Sequence, residues 1–185
     1  MKFEPRIITL KDGRSCTLRP THPDDAAEMI TYLKMISEET RFVLRNPDEV
    51  TYTLEQEQEI LGNLLEDQGS VMMLAVVDGK VAGNCSISGM GNKRRVLHRC
   101  GMAIALKKEF WNLGIGTAMI DYLTELAKQI GFEQIELDVV ADNERGKKLY
   151  EKCGFVETGK HLRALKYDDG TYADEIIMCK LLKLP

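Results

Sequence analysis

Two glycines one residue apart lie in Phe110-Trp111-Asn112-Leu113-Gly114-Ile115-Gly116-Thr117-Ala118, where an extended segment gives way to a helix. The apolar run before them, Met102-Ala103-Ile104-Ala105-Leu106, is typical of a strand. After them, apolar residues recur at helical spacing, at Ile115, Met119, Tyr122, Leu123, Leu126 and Ile130. Such a helix start directs unpaired backbone N–H groups at one spot, and its dipole favours negative charge there. The stretch therefore predicts a pyrophosphate-binding site.

The composition is that of one folded domain over residues 1–185. Of the 185 residues, 44% are hydrophobic and 29% are charged, which argues against disorder. The formal net charge of -4 argues against a nucleic-acid partner, which would need a basic face. No stretch approaches the roughly 20 apolar residues that cross a bilayer, and residues 1–5 carry no apolar signal region. We therefore expect a cytoplasmic protein without a membrane partner.

Five cysteines are scattered along the chain, at Cys16, Cys85, Cys100, Cys153 and Cys179. Their odd number and the lack of a Cys-x-x-Cys pair argue against a disulfide framework and against a zinc site. We therefore predict no metal centre, and reduced thiols as in a cytoplasm. The last three cysteines lie in apolar patterns and are predicted to belong to the core.

The rest of the pattern predicts hairpins that alternate with helices. Turn and periodicity signals place hairpins at 7–18, 71–87 and 155–182, single strands at 96–106 and 135–139, and helices that begin after 24 or 25, after 53, at the glycines and near 143. Thr53 can form a capping box with Gln56. The fold is thus predicted to be α/β, with a mixed, mostly antiparallel twisted sheet of about seven strands flanked by helices.

Two further segments accompany the glycine stretch. Residues 143–155 read Asn-Glu-Arg-Gly-Lys-Lys-Leu-Tyr-Glu-Lys-Cys-Gly-Phe, and residues 169–178 read Asp-Gly-Thr-Tyr-Ala-Asp-Glu-Ile-Ile-Met. In this order and spacing, the three segments resemble the GNAT family, the GCN5-related N-acetyltransferases. The glycine stretch is similar to the family's Arg/Gln-x-x-Gly-x-Gly/Ala loop for acyl-CoA pyrophosphate. The second segment is similar to its Asn-x-x-Ala-x-x-Leu-Tyr-x-x-x-Gly-Phe motif, and the third resembles its terminal hairpin.

The resemblance implies the GNAT-like acyl-CoA N-acyltransferase fold, with acetyl-CoA (coenzyme A) as the cofactor. It implies contacts with that cofactor from Met102, Ala103, Ile104, Ala105, Leu106, Trp111, Asn112, Leu113, Gly114, Ile115, Gly116, Thr117, Asn143, Gly146 and Tyr150. The strand backbone would pair with the pantetheine arm, and an N–H near Met102 to Ile104 would polarise the acetyl carbonyl. Trp111 departs from the family pattern, which carries Arg or Gln there. The loop's anion contacts are mostly backbone N–H groups, so the site is still expected.

Tyr150 and Asn143 are the candidate catalytic residues. The resemblance implies that the Tyr150 phenol donates or shares a proton as the CoA thiolate leaves. With ordinary pKa values of about 10 for Tyr and about 8.5 for a thiol, a hydrogen bond is sufficient. By helical pattern alone, Tyr150 would be an ordinary member of an apolar stripe. Asn143 is expected to cap its helix and to contact the pantetheine arm or a water, whereas Lys147 and Lys148 are expected on a solvated face.

No residue stands out as the general base. Gly101 lies where many similar enzymes carry a Glu. His98, three residues upstream, could serve, although a polar residue at a strand end is the simpler interpretation. Glu136 and Asp138 alternate with Leu137 and therefore share the other face of their strand. One of them can reach the cleft, and otherwise they are ordinary solvated carboxylates.

The acceptor amine must be neutral to attack. Freeing a lysine-like amine of pKa about 10.4 at pH 7 costs about 4.6 kcal/mol, whereas an α-amine of pKa about 8 costs about 1.4 kcal/mol. A site without a strong base therefore favours an α-amine. Its pocket is expected between the two early helices, their connecting segment and the last hairpin, with Glu38, Glu39, Thr40, Arg41, Phe42, Tyr167 and Tyr172 as candidates.

These features predict an N-acetyltransferase that moves an acetyl group directly to a primary amine of a small molecule or a protein N-terminus. The alternative is a catalytically weak acyl-CoA-binding sensor or regulatory module of the same fold, which Gly101 favours and Tyr150 opposes. A nucleotide phosphate-binding enzyme is disfavoured, because the turn lacks the Lys-Ser/Thr of a P-loop and the third glycine of a dinucleotide fingerprint. The sequence leaves the identity of the acceptor and a homodimer open.

Overall fold

The computed structural model describes residues 1–182, and all eight of its strands belong to one sheet. The strands are β1 (Arg6–Thr9), β2 (Ser15–Pro20), β3 (Ser70–Val77), β4 (Lys80–Gly89), β5 (Arg99–Leu106), β6 (Gln134–Val140), β7 (Val156–Lys166) and β8 (Tyr172–Leu181). The α-helices are α1 (Ala26–Glu39), α2 (Leu54–Glu66), α3 (Ile115–Ile130) and α4 (Glu144–Lys152). The strand order is β1-β2-β3-β4-β5-β6-β8-β7, and neighbours are antiparallel except β5 with β6. The mixed, mostly antiparallel sheet is confirmed, with eight strands where about seven were expected.

Local hydrogen bonds explain where two of the elements begin. Thr53 Oγ1 accepts from the Gln56 N–H (3.2 Å), and Gln56 Oε1 accepts from the Thr53 N–H (2.9 Å), so the capping box predicted for α2 is confirmed. β5 begins at Arg99 and not at Val96. The Val96 N–H donates to the Lys93 C=O and the Arg99 N–H to the Val96 C=O, and these bonds close turns that a strand cannot contain.

Helices cover both faces of the sheet. Leu123 of α3 and Tyr150 of α4 belong to the larger hydrophobic cluster, on the same face as Met102 of β5. Tyr32 of α1 belongs to a second cluster on the opposite face, with Leu74 of β3. All five cysteines are buried free thiols, so the predicted core cysteines are confirmed. Across residues 1–182, no helix is long and apolar enough to cross a membrane.

Tyr32 fixes α1 above the middle of the sheet. The residue is 1% exposed, and its hydroxyl lies within hydrogen-bonding distance of Asn84 Oδ1 (2.8 Å) and of the Ala105 carbonyl oxygen (2.9 Å). At the end of the same helix, Glu39 Oε2 accepts from the Lys108 N–H (2.8 Å). These contacts hold the C-terminal half of α1 beside the C-terminal end of β5.

Candidate active site

β5 and β6 separate after three paired residues. Arg99–Gly101 pair with Gln134–Glu136, and the described chain shows no pairing between the two strands beyond them. β5 keeps its pairs with β4 and β6 keeps its pairs with β8, so the two strands enclose a gap that widens toward their C-terminal ends. The glycine turn follows β5 and the start of α4 follows β6, so both lie at the wide end.

Backbone groups of β5 face this gap. At both ends of the β4–β5 pair, the interstrand hydrogen bonds use odd-numbered residues, the C=O of Arg99 at the start of β5 and the N–H of Lys107 directly after it. Successive residues of an antiparallel strand direct their N–H and C=O groups to opposite sides. Met102, Ile104 and Leu106 therefore direct their backbone groups away from β4 and into the gap, where a pantetheine arm could pair with them.

The start of α3 presents free N–H groups. Gly114, its N-cap, has a φ of 98°, in the left-handed region that favours glycine, and provides no side-chain cap. The first-turn N–H groups of Ile115, Gly116 and Thr117 therefore have no partner in the helix. A Cβ on Gly116 would lie 3.0 Å from the Leu149 side chain, so α4 packs closely against this turn. Open N–H groups beside an unpaired strand edge fit the diphosphate and pantetheine of acetyl-CoA.

The glycine turn is held from two sides. The Lys11 N–H, in the β1–β2 turn, donates to the Leu113 C=O (3.2 Å). Trp111 Nε1 donates to the Leu106 C=O (2.8 Å). Trp111, at the position where the family pattern has Arg or Gln, thus braces the turn against the end of β5, and its only N–H side-chain donor is already used.

Asn143 caps α4. Its Oδ1 accepts from the Gly146 N–H (2.9 Å), as the sequence predicts. A Cβ on Gly146 would lie 2.8 Å from Asn143 Nδ2, so glycine at this position allows the cap to approach closely. The contact of Asn143 with a pantetheine arm stays a prediction.

Tyr150 carries an unpaired hydroxyl in a buried position. The residue is 8% exposed, and its ring packs edge-on against Phe155 with centroids 5.9 Å apart. Within residues 1–182 the hydroxyl makes no hydrogen bond, and it is not sealed from solvent. Burial, with smaller effects of the Cys85 and Cys153 thiols, raises the pKa of the phenol. Tyr150 therefore keeps its proton at neutral pH and has a hydroxyl that is available as a hydrogen-bond donor.

Two of the candidate bases are poorly placed or already occupied. His98 precedes the paired residues of β5, so it lies at the closed end of the gap, and its C=O accepts from the Glu133 N–H (2.8 Å). Glu136 Oε2 accepts from Arg99 Nη2 (2.7 Å), and this bond lowers the pKa of the Glu136 carboxyl. The structure therefore leaves Asp138 as the β6 carboxylate beside the open part of the gap, where its Oδ1 lies 3.8 Å from His161 Nδ1.

Asp138 lies in a cluster that sequence reasoning missed. It stands two residues beyond the last β5–β6 pair, and its neighbour Leu137 lies in the core under α3, so Asp138 faces the opposite side. Polar side-chain atoms of Asp138, His161 and Glu175 lie within 4.8 Å of one another. Partial burial, and then the charge of Asp138, raise the pKa of Glu175. The three residues come from three strands, so no local pattern signals the cluster.

A cleft of about 820 Å³ opens at the wide end of the gap. Its lining consists of residues 37–46, residues 164–167, Lys108 and Trp111. The Arg41 guanidinium lies 3.8 Å above the Tyr167 ring, and the Tyr167 hydroxyl donates to the Arg41 C=O (3.3 Å). The structure thus brings together the segment and the hairpin expected to form the acceptor pocket. Tyr172 lies outside this cleft, near Arg163 and Lys166.

Arg145 is a second residue that sequence reasoning missed. Its Nη1 donates to Asn112 Oδ1 (3.1 Å), and its guanidinium lies 4.2 Å from the centroid of the Trp111 ring. The family motif leaves this position unspecified, so its contact with the turn becomes visible only in the folded chain. Lys147, by contrast, is paired with Glu144 (2.6 Å), and its side chain is less exposed than the solvated face expected for it.

Comparison with known proteins agrees with this geometry. The model of the acetyltransferase (GNAT) family matches residues 30–155. The GNAT-family acetyltransferase from Streptococcus pneumoniae is 30% identical, over 90% of this chain and 99% of its own, with a TM-score of 0.85. Ribosomal-protein-alanine N-acetyltransferase from Brucella melitensis is 22% identical, over 89% and 99%, with a TM-score of 0.78. The yncA protein from Salmonella typhimurium, solved with its cofactor acetyl-CoA, is 16% identical, over 91% and 94%, with a TM-score of 0.77.

Proposed function

The chain belongs to the GNAT family of acetyltransferases, and we propose that it moves the acetyl group of acetyl-CoA directly to a primary amine. The family uses acetyl-CoA as its donor. One observation supports direct transfer best: the gap has unpaired backbone on β5, Tyr150 packs in the same cluster as Met102 and Leu137 on one face of the sheet, and Asp138 of β6 lies on the other face. Donor and acceptor can therefore meet at one point without a covalent enzyme intermediate.

Main-chain groups would hold the donor, which supplies an activated thioester carbonyl when bound. The N–H groups at the start of α3 would bind the diphosphate, and the gap-facing groups of β5 would pair with the pantetheine arm. A backbone N–H near Met102 to Ile104 would polarise the carbonyl. The proposed contacts are those of residues 102–106 and 111–117 with Asn143, Gly146 and Tyr150. Asn143 would add a polar contact at the start of α4.

Tyr150 would hold a proton for the departing thiolate. Its hydroxyl has no partner within residues 1–182, and its raised pKa keeps it protonated. A hydrogen bond from this phenol stabilises negative charge on sulfur, and complete proton transfer is not required. Because the ring is fixed by burial, the hydroxyl is already oriented before the donor arrives.

Asp138 and Glu175 would serve the amine. Two carboxyl groups close together attract an ammonium ion, and either can then take up its proton, directly or through a water. The raised pKa of Glu175 makes it a stronger base than an ordinary glutamate, because a carboxylate of higher pKa holds a proton more tightly. The pair is still a weak base, so the earlier preference for α-amines over polyamines is retained.

The experiment is a thiol-release assay with acetyl-CoA and a panel of amines. We expect α-amines of peptides or small molecules to react with a kcat/KM at least about tenfold above that of spermidine, since their deprotonation costs about 3 kcal/mol less. A clear preference for the polyamine would overturn the α-amine assignment while leaving acetyl transfer in place.

A second function, a catalytically weak acyl-CoA-binding sensor or regulatory module, is favoured by Gly101, which offers no carboxylate where similar enzymes carry one. The same assay separates the two. Tight acetyl-CoA binding without thiol release for any amine would support the sensor, and turnover with any amine would exclude it.

A further inference from the structure

Trp111 leaves the glycine turn without the cationic or amide side chain that the family pattern places there. Its indole N–H donates to the Leu106 C=O at 2.8 Å and faces the end of β5. Backbone N–H groups alone would then have to compensate the two negative charges of a diphosphate. An arginine from another element, Arg145 in the first turn of α4, reaches the same turn.

The contacts of Arg145 leave its charge available. Nη1 donates to Asn112 Oδ1 at 3.1 Å, and the guanidinium lies 4.2 Å from the Trp111 ring centroid. Within residues 1–182, Arg145 forms no salt bridge, whereas Lys147 on the same helix is paired with Glu144 at 2.6 Å. A guanidinium has five N–H donors in a planar fork, so most of those of Arg145 remain open.

We propose that Arg145 binds the diphosphate of acetyl-CoA and takes the place of the side chain that Trp111 replaces. The inference rests on the proposed function, since it concerns the same cofactor. Stacking on Trp111 and the bond to Asn112 hold the guanidinium over the turn before the anion binds, so little side-chain freedom is lost on binding. Because Arg145 and Tyr150 belong to one helix, diphosphate binding also fixes the element that carries the Tyr150 hydroxyl.

The test measures binding of CoA and of dephospho-CoA, which lacks the 3′-phosphate, by calorimetry. Arg145→Gln should weaken both by about tenfold, as expected for loss of a charge-assisted hydrogen bond. Arg145→Lys should recover part of the loss, because it keeps the charge but not the fork. Lys148→Gln removes the same charge from the same helix without touching the turn, and it should change binding less than about twofold.

A second readout separates anion binding from support of the turn. S-acetylpantetheine lacks the diphosphate, so turnover with this donor should be the same in Arg145→Gln and the unchanged protein. Two results for Arg145→Gln would overturn the diphosphate assignment. One is an equal loss of turnover with S-acetylpantetheine and with acetyl-CoA, and the other is weaker binding of CoA without weaker binding of dephospho-CoA. Unchanged CoA binding by Arg145→Gln would overturn it as well. If the unchanged protein itself binds no CoA, the proposed function fails first.

Discussion

The two sides of the gap are built in different ways. The proposed donor side, residues 102–106, 111–117 and 143–150, offers main-chain groups and two glycines, Gly114 with a φ of 98° and Gly116 packed closely against Leu149. The acceptor side consists of the cleft residues 37–46 and 164–167 together with Asp138, His161 and Glu175, and it offers charged and aromatic side chains. A site built from main-chain groups keeps its binding properties when side chains are substituted, whereas a site built from side chains changes its binding properties with each substitution. In the proposed reaction the donor would therefore be recognised by the shared fold, and the acceptor by features specific to this chain.

The largest effect is expected from Tyr150→Phe. Removing the hydroxyl takes away the proton donor to sulfur, so kcat should fall by about 100-fold, within the usual range for general acid catalysis. The ring and its packing against Phe155 remain, so the Kd for acetyl-CoA should stay within about twofold. Steady-state kinetics and calorimetry measure the two quantities.

Tyr122→Phe is the matched control for Tyr150→Phe. Its hydroxyl donates to the Glu4 C=O on the far side of α3, and its loss should leave kcat unchanged. If Tyr150→Phe has the same kcat as the unchanged protein, the donor side supplies backbone groups alone. Tyr150 is then not the proton donor to the CoA thiolate.

Asp138→Asn should have the next largest effect. It removes the carboxylate of the pair that lies next to the gap, so kcat/KM for the amine should fall by about tenfold while Glu175, on β8, continues to accept protons. Loss of the Asp138 charge removes a cause that raises the pKa of Glu175, although burial, the larger cause, remains. The pKa of Glu175 should therefore fall, and the acidic limb of the pH dependence of kcat/KM should move to lower pH.

Asp121→Asn, an exposed carboxylate on α3, is the control for charge alone and should leave the pH profile unchanged. An acidic limb that stays in place in Asp138→Asn would show that Glu175 does not titrate in the reaction. The cluster would then be an ordinary set of surface charges.

The elements of the proposed donor side could be predicted from the sequence because each of them is local, whereas their contacts with the donor stay predictions. The glycine turn, the cap of α4 and Tyr150 lie within short contiguous segments, and the helical period together with the family motif identifies them. The capping box of α2 is equally local and was confirmed. The start of β5 was misplaced by three residues, because turns around Val96 delay the strand until Arg99.

The charged cluster of the acceptor side could not be predicted in the same way. Asp138, His161 and Glu175 become neighbours because the sheet order is β6-β8-β7, which differs from the order along the chain. The stack of Arg145 on Trp111 likewise depends on how α4 docks against the turn. Such contacts follow from tertiary packing and leave no periodic signal in the sequence.

Gly114→Ala tests whether the backbone of the turn carries donor binding. Alanine at a φ of 98° costs about 1 kcal/mol, and the turn can relieve this strain by leaving the conformation that binds the diphosphate. The Kd for CoA should therefore rise by about fivefold, because a cost of about 1 kcal/mol corresponds to that change in Kd. Gly79→Ala imposes similar strain at a φ of 74° in a distant turn, so it should lower the melting temperature without changing CoA binding. Equal CoA binding in both variants would mean that the α3 start does not hold the diphosphate.

Arg41→Ala should have the smallest effect and the most specific one. The Arg41 guanidinium on the Tyr167 ring joins residues 37–46 to the end of β7, and an exposed contact of this kind is worth about 0.5–1 kcal/mol. The KM for the amine should therefore rise by about two- to fivefold, while the KM for acetyl-CoA stays the same. The cleft also includes Trp111 and Lys108, next to the glycine turn. If both KM values rise together, donor and acceptor share this cleft, and the division of the gap into two separately built sides does not hold.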